Sequence, residues 1–133
     1  MSEVHAYFEK ANRSFEVTEA LLASGYADFA TSRAYYGCFY VAEALLSDEG
    51  MDVSTHAGVI GEYGRLFART RRVNPRFHRL LNRSFRARQS ADYDTDFDLD
   101  DAEVREMIGV MARGRTARRY LELKHAEDNA EQE

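Results

Sequence analysis

Between Ala34 and Leu46 thirteen consecutive residues carry one charge, on Glu43. At helical pitch such a segment is apolar on nearly every side, and only a helix touched from several directions can bury it. The stretch therefore predicts a central helix with other helices around it. Its bounds are punctuated: Gly25 precedes it and Asp48-Glu49-Gly50 follows it, giving a helix from about Tyr26 to Ser47.

The remaining segments supply the surrounding helices. Val4, Tyr7, Phe8, Ala11, Phe15, Leu21 and Leu22 recur at helical spacing, predicting a first helix from about Glu3 to Ser24 with Ser2 as cap. A third helix begins near Ser54 or Thr55 and runs to about Thr70. It holds Gly58, Gly61 and Gly64, each costing up to ~1 kcal/mol against alanine, which close packing of another backbone would explain. Asn74-Pro75 opens a fourth helix as cap and first-turn proline. Phe77, Leu80, Leu81 and Phe85 form one face of it, and Arg76, Arg79, Arg83 and Arg86 another. Asp94–Leu99 reads as an extended loop. Asp100 with Glu103 three residues on makes a capping box for a fifth helix, whose buried side carries Val104, Met107, Ile108, Met111, Tyr120 and Leu121. No strand pattern of useful length occurs. The expected fold is all-α, an up-and-down bundle of four to five helices, with residues 1–125 as one domain and 126–133 as an acidic, disordered tail.

Composition narrows the function. The single cysteine, Cys38, excludes an internal disulfide and reads as a small buried hydrophobe. A polar N-terminus and the lack of a long apolar run predict no signal peptide and no membrane span, so the cytoplasm is the expected compartment. The net charge of −5 argues against indiscriminate coating of nucleic acid. No glycine-rich phosphate loop, His-Glu-x-x-His, Cys-x-x-Cys or serine elbow is present. Asp92, Asp94 and Asp96 resemble alternate calcium ligands, but the glycine and glutamate that complete such a loop are missing. No metal and no cofactor are expected.

The charge is sorted along the chain. Tyr63 through Ala91 contains nine arginines and no acid, whereas Asp92 through Glu103 contains seven acids and no base. A local basic face that meets RNA remains open despite the acidic total. Arg88 stands near this boundary, seven residues after Leu81 and three after Phe85, and so falls on the apolar stripe of the fourth helix. An inward cation needs an anion. The bland reading is a structural pair with Asp92 or Glu43; the functional one is a cleft arginine that holds phosphate by its planar fork. On the central helix Arg33, Tyr36, Tyr40 and Glu43 are spaced 3, 4, 3 and fall within an arc of about 80°. They form a polar seam that either locks register or lines a cleft or subunit interface. His56, opening the third helix, is a further candidate.

Ser32-Arg33-Ala34-Tyr35-Tyr36-Gly37, Ser54-Thr55-His56 and Arg88-x-x-x-Asp92-Tyr93 together resemble the HEPN domain family, in particular its small stand-alone prokaryotic members. The resemblance runs from about Met1 to Leu123. It implies an all-α bundle that forms a homodimer with a cleft at the interface. It also implies a minimal nucleotidyltransferase-type partner, as in toxin–antitoxin pairs, that in some pairs adds nucleotide to a tyrosine, here Tyr93. Ribonuclease members carry arginine, a polar residue and then histidine after a few positions. Arg88-Gln89 matches the start, but Tyr93 stands where the histidine is expected and none occurs before His125. By this resemblance Arg33, Tyr36, Arg88 and Asp92 are expected to bind RNA or nucleotide. Should the protein be a metal-independent ribonuclease, Arg88 with Tyr93 or His56 would be catalytic, because such cleavage needs a proton acceptor suited to neutral pH.

Overall fold

Helices α1 (Ser2–Ala23) and α2 (Ala27–Asp48) form an antiparallel hairpin, followed by α3 (His56–Tyr63), a π-helical turn (Gly64–Ala68), α4 (Pro75–Tyr93) and α5 (Asp101–Gln132). This computed structural model describes residues 2–93 and 101–132, and at some helical positions, Asp92 and Tyr93 among them, the backbone alone. The all-α bundle expected from the sequence is the fold observed, and no strand occurs among the described residues.

The central role of α2 follows from its composition. Ala30, Ala34, Tyr35, Cys38, Val41, Ala42, Ala44 and Leu45 are all buried, and among the described residues α2 touches each of the other four helices. Its hairpin with α1 is close because Gly37 faces Phe15. A Cβ there would lie 2.7 Å from that ring.

Two glycines with positive φ set the length of the rod. Gly25 (φ 85) ends α1, with its N–H bonded to Leu22 O at 3.1 Å and the Tyr26 N–H to Leu21 O at 2.8 Å. Gly50 (φ 75) ends α2 in the same way, through Ser47 O and Leu46 O, each at 3.0 Å. Both satisfy carbonyls that a helix end would leave open. Boundaries differ from expectation by a residue: Ser2, expected as a cap, is already helical, and Tyr26 caps α2 rather than starting it.

Thr55 caps α3, its Oγ1 accepting the Gly58 N–H at 3.0 Å. The expected single helix to Thr70 instead widens after Tyr63, where the Arg69 N–H reaches back five residues to Gly64 O at 2.9 Å. The sequence predicts that another backbone packs on these glycines, but side chains face two of them instead. A Cβ on Gly64 would lie 2.6 Å from His78 Nε2 and one on Gly58 2.7 Å from Val53 and Thr55 side-chain atoms, while Gly61 faces open space.

At the far end α5 is tied to the end of α2. Lys124 Nζ donates to Asp48 Oδ2 at 3.0 Å and to Glu49 Oε1 at 3.2 Å, and His125 Nε2 meets Asp48 Oδ1 at 2.6 Å. Arg72 also pairs with Glu49. Residues 126–131, read from sequence as a disordered tail, continue α5 as an exposed helix. Those residues contain no glycine or proline, so nothing local stops the helix. The loop expected over Asp94–Leu99 and the Asp100 cap lie outside the described residues.

Candidate functional site

One turn of α2 presents Tyr35, Tyr36 and Phe39, and the first residue of α3 lies against them. The His56 imidazole stacks on Phe39 with centroids 4.3 Å apart and planes 16° from parallel. Its Nδ1 lies 2.7 Å from the Tyr35 hydroxyl. Phe85 of α4 closes the box, 5.9 Å from the Tyr35 ring and 6.2 Å from His56. Thr55 fixes this arrangement locally, because capping α3 determines where its first side chain emerges.

Two guanidinium groups lie against the Tyr36 ring. The Arg88 Cζ lies 4.9 Å from the centre of the Tyr36 ring and 5.8 Å from that of Tyr35. The Arg33 Cζ lies 4.7 Å from the Tyr36 ring. Each contact is a favourable cation–π pair, but two like charges on one phenol repel. Among the described residues neither arginine meets a carboxylate. The result is a small positive site with aromatic walls.

Burial, and after it the charge of Arg88, holds the His56 imidazole below its ordinary value. Burial pushes the Tyr35 phenol well above its own, with Arg88 opposing part of the rise. Near neutral pH the pair is an uncharged imidazole beside an intact phenol. The Tyr35 hydroxyl can donate to Nδ1 or accept from it. In the first case Nε2 carries a proton, and in the second it offers a lone pair. One hydrogen bond therefore accommodates either tautomer of the neutral ring.

Of the residues singled out by sequence, the structure brings Arg33, Tyr36, His56 and Arg88 together. The helical backbone of α4 includes Asp92 and Tyr93, but their side chains lie outside the described residues. The seam of α2 divides. Tyr40 borders the site, its ring 6.2 Å from that of Tyr36 and 6.3 Å from that of Phe39, with Lys10 5.6 Å over its face, whereas Glu43 turns to α1. Glu43 is pushed up chiefly by burial, while a hydrogen bond from Tyr7 and the charge of Lys10 oppose the rise. Glu43 is thus occupied by α1, and the pair with Arg88 weighed from sequence does not form. Tyr35, Phe39 and Phe85 were missed. Tyr35 carried a signal: a phenol within a helix buried all round must find a polar partner.

Among the described residues no group of three or more histidine, cysteine, aspartate or glutamate side chains is placed to hold a metal ion, and no helix is long and apolar enough to cross a membrane. Residues 4–117 match the HEPN domain family. "Putative toxin MJ0142" of Methanocaldococcus jannaschii is 32% identical over 106 residues, which is 80% of this chain and 72% of that protein. A UPF0332 protein of Thermotoga maritima is 30% identical over 99 residues, 74% of this chain and 75% of that one. "Putative toxin MJ0605", also of M. jannaschii, is 32% identical over 94 residues, 71% and 70% of the two chains.

Proposed function

The chain belongs to the HEPN domain family, and from that premise we propose that it is the HEPN component of a toxin–antitoxin-like pair, binding RNA or a nucleotide by its phosphate at the Arg33–Tyr36–Arg88 cluster. The observation that carries this reading is the pair of guanidinium groups on one phenol with no carboxylate beside them among the described residues. A phosphate between them would relieve their repulsion and accept hydrogen bonds from both forks. The toxin names of two relatives support the setting. In this proposal two copies form the cleft, Asp92 helps to line it, and a minimal nucleotidyltransferase partner controls it by modifying Tyr93, five residues beyond Arg88.

A second reading is favoured by one specific contact, that of His56 with Tyr35. His56 would then stand in for the histidine absent after Arg88. Its Nε2 takes the proton of a ribose 2′-hydroxyl, the 2′-oxygen attacks phosphorus, and the 5′-oxygen leaves by taking a proton from water, giving a cyclic phosphate and a free 5′-hydroxyl. Arg88 stabilises the charge on the pentacovalent phosphorus.

The test is Arg88→Ala and Arg33→Ala, with binding of a labelled RNA and of a nucleoside monophosphate read by fluorescence anisotropy. Each variant should lose about tenfold or more in affinity, as expected for a charge-assisted contact, with thermal stability close to wild type. Unchanged affinity in both variants overturns the reading. Cleavage of RNA in a chelator, abolished by both Arg88→Ala and His56→Ala, would replace it with the second.

A further inference from the structure

The outer face of α4 carries a separate feature. Where the π-helical turn packs beside the start of α4, a cleft of about 650 Å³ opens, lined in part by Glu62, Gly64, Arg65, Arg69, His78 and Arg79. Arg79 and Arg88 are nine residues apart, which is about half a turn in phase. The cleft therefore lies on the opposite side of α4 from the aromatic box.

Its charge is positive and partly uncommitted. Arg65 is held by Glu62 at 2.6 Å. Arg69 and Arg79 are exposed and have no carboxylate partner among the described residues. His78 is fixed rather than free: its ring stacks on Tyr63 with centroids 6.2 Å apart, and its Nε2 lies against Gly64. Gly64 and Ala68 leave the wall without bulk. Two arginine forks thus border a low-walled groove.

We propose that this cleft is a second RNA-contacting site that takes the phosphodiester backbone and reads no base. It rests on the reading that RNA is the ligand, but it uses none of the residues of the aromatic box. A strand presents one phosphate per nucleotide at regular spacing, so two exposed forks on neighbouring elements can engage its phosphates together. Glu62, the carboxylate in the lining, is taken by Arg65, and phosphate suits the remaining guanidinium forks. Glu106 of α5 pairs with Arg76 one turn away, yet the tethered carboxylates leave Arg69 and Arg79 unmatched among the described residues.

The test uses the full chain with Arg69→Glu/Arg79→Glu, and Arg69→Gln/Arg79→Gln as the milder variant. Affinity for a labelled 20-nucleotide oligouridine should fall about tenfold or more, and the salt slope should become shallower by about 1.4 for the two lost contacts. Binding of a nucleoside monophosphate should stay at wild-type strength, because the aromatic box is intact. Unchanged affinity for the oligonucleotide in both variants overturns the proposal, even if Arg88→Ala still weakens it. Equal competition by poly-glutamate at matched charge also overturns it, since the cleft would then recognise carboxylates. If neither wild type nor variant binds RNA while the nucleotide still binds, the cleft proposal fails and the nucleotide reading of the box stands.

Discussion

The two ends of α2 gather cations in different ways. At its C-terminal end Lys124 and Arg72 meet Asp48 and Glu49, with His125 hydrogen-bonded to Asp48, so each of these cations has a carboxylate. Toward its N-terminal half Arg33 and Arg88 meet rings. Where cations meet carboxylates, their charge is consumed in holding helices together. Where they meet aromatic faces, it stays available to a ligand. The comparison separates a structural cluster from the proposed binding cluster by the partner of each cation, not by the number of cations.

The largest test of that separation is Asp48→Ala. The Asp48 side chain is 6% exposed and serves two partners, so its loss should cost about 3 kcal/mol in chemical denaturation with RNA affinity unchanged. Burial alone would raise the Asp48 carboxyl, but the hydrogen bonds from Lys124 and His125 outweigh it and hold the group below its ordinary value. A lowered carboxyl stabilises fully above about pH 4, its unfolded value, and the contribution is lost as pH falls through the folded value. Wild type and variant should therefore converge in acid. A loss of similar size in Arg88→Ala would break the comparison, because the site would then be structural too.

Tyr35→Phe should have a middling effect. It removes one hydrogen bond and should cost about 1 kcal/mol. Nitrogen NMR of His56 should show a changed balance between the two tautomers. An unaltered balance would mean that something other than Tyr35 orients the ring. The smallest effect belongs to His56 itself. Its value is lowered, first by burial and then by Arg88, so its contribution is complete above about pH 6.5 and declines as pH falls through the folded value. His56→Gln should flatten the stability curve on the acid side of that point. An identical curve would show that the imidazole is freely solvated.

Much of this frame was legible in the sequence because it depends on local rules. Gly25, Gly50 and Asn74-Pro75 mark helix ends through backbone chemistry that needs no distant partner. Counting helical phase was enough to turn Arg88 inward. Its partners were not legible, because they depend on which rings the bundle brings beside it. Glu43 looked available to Arg88 until α1 supplied Tyr7. The contact of His56 with Tyr35 joins residues 21 apart, a tertiary pairing that spacing cannot show. The π-helical turn was not legible either: Tyr63 stacks on Phe67 and packs against Phe77 of α4, and the meeting with α4 does not show in local spacing.

Nine residues separate Phe39 from Asp48 on α2, a span of about 13 Å along its axis. Perturbations that far apart and without shared partners add nearly independently. Evolution can therefore adjust the tolerance of this protein to heat or acid at one end of the rod while ligand preference drifts at the other, and neither change constrains the next.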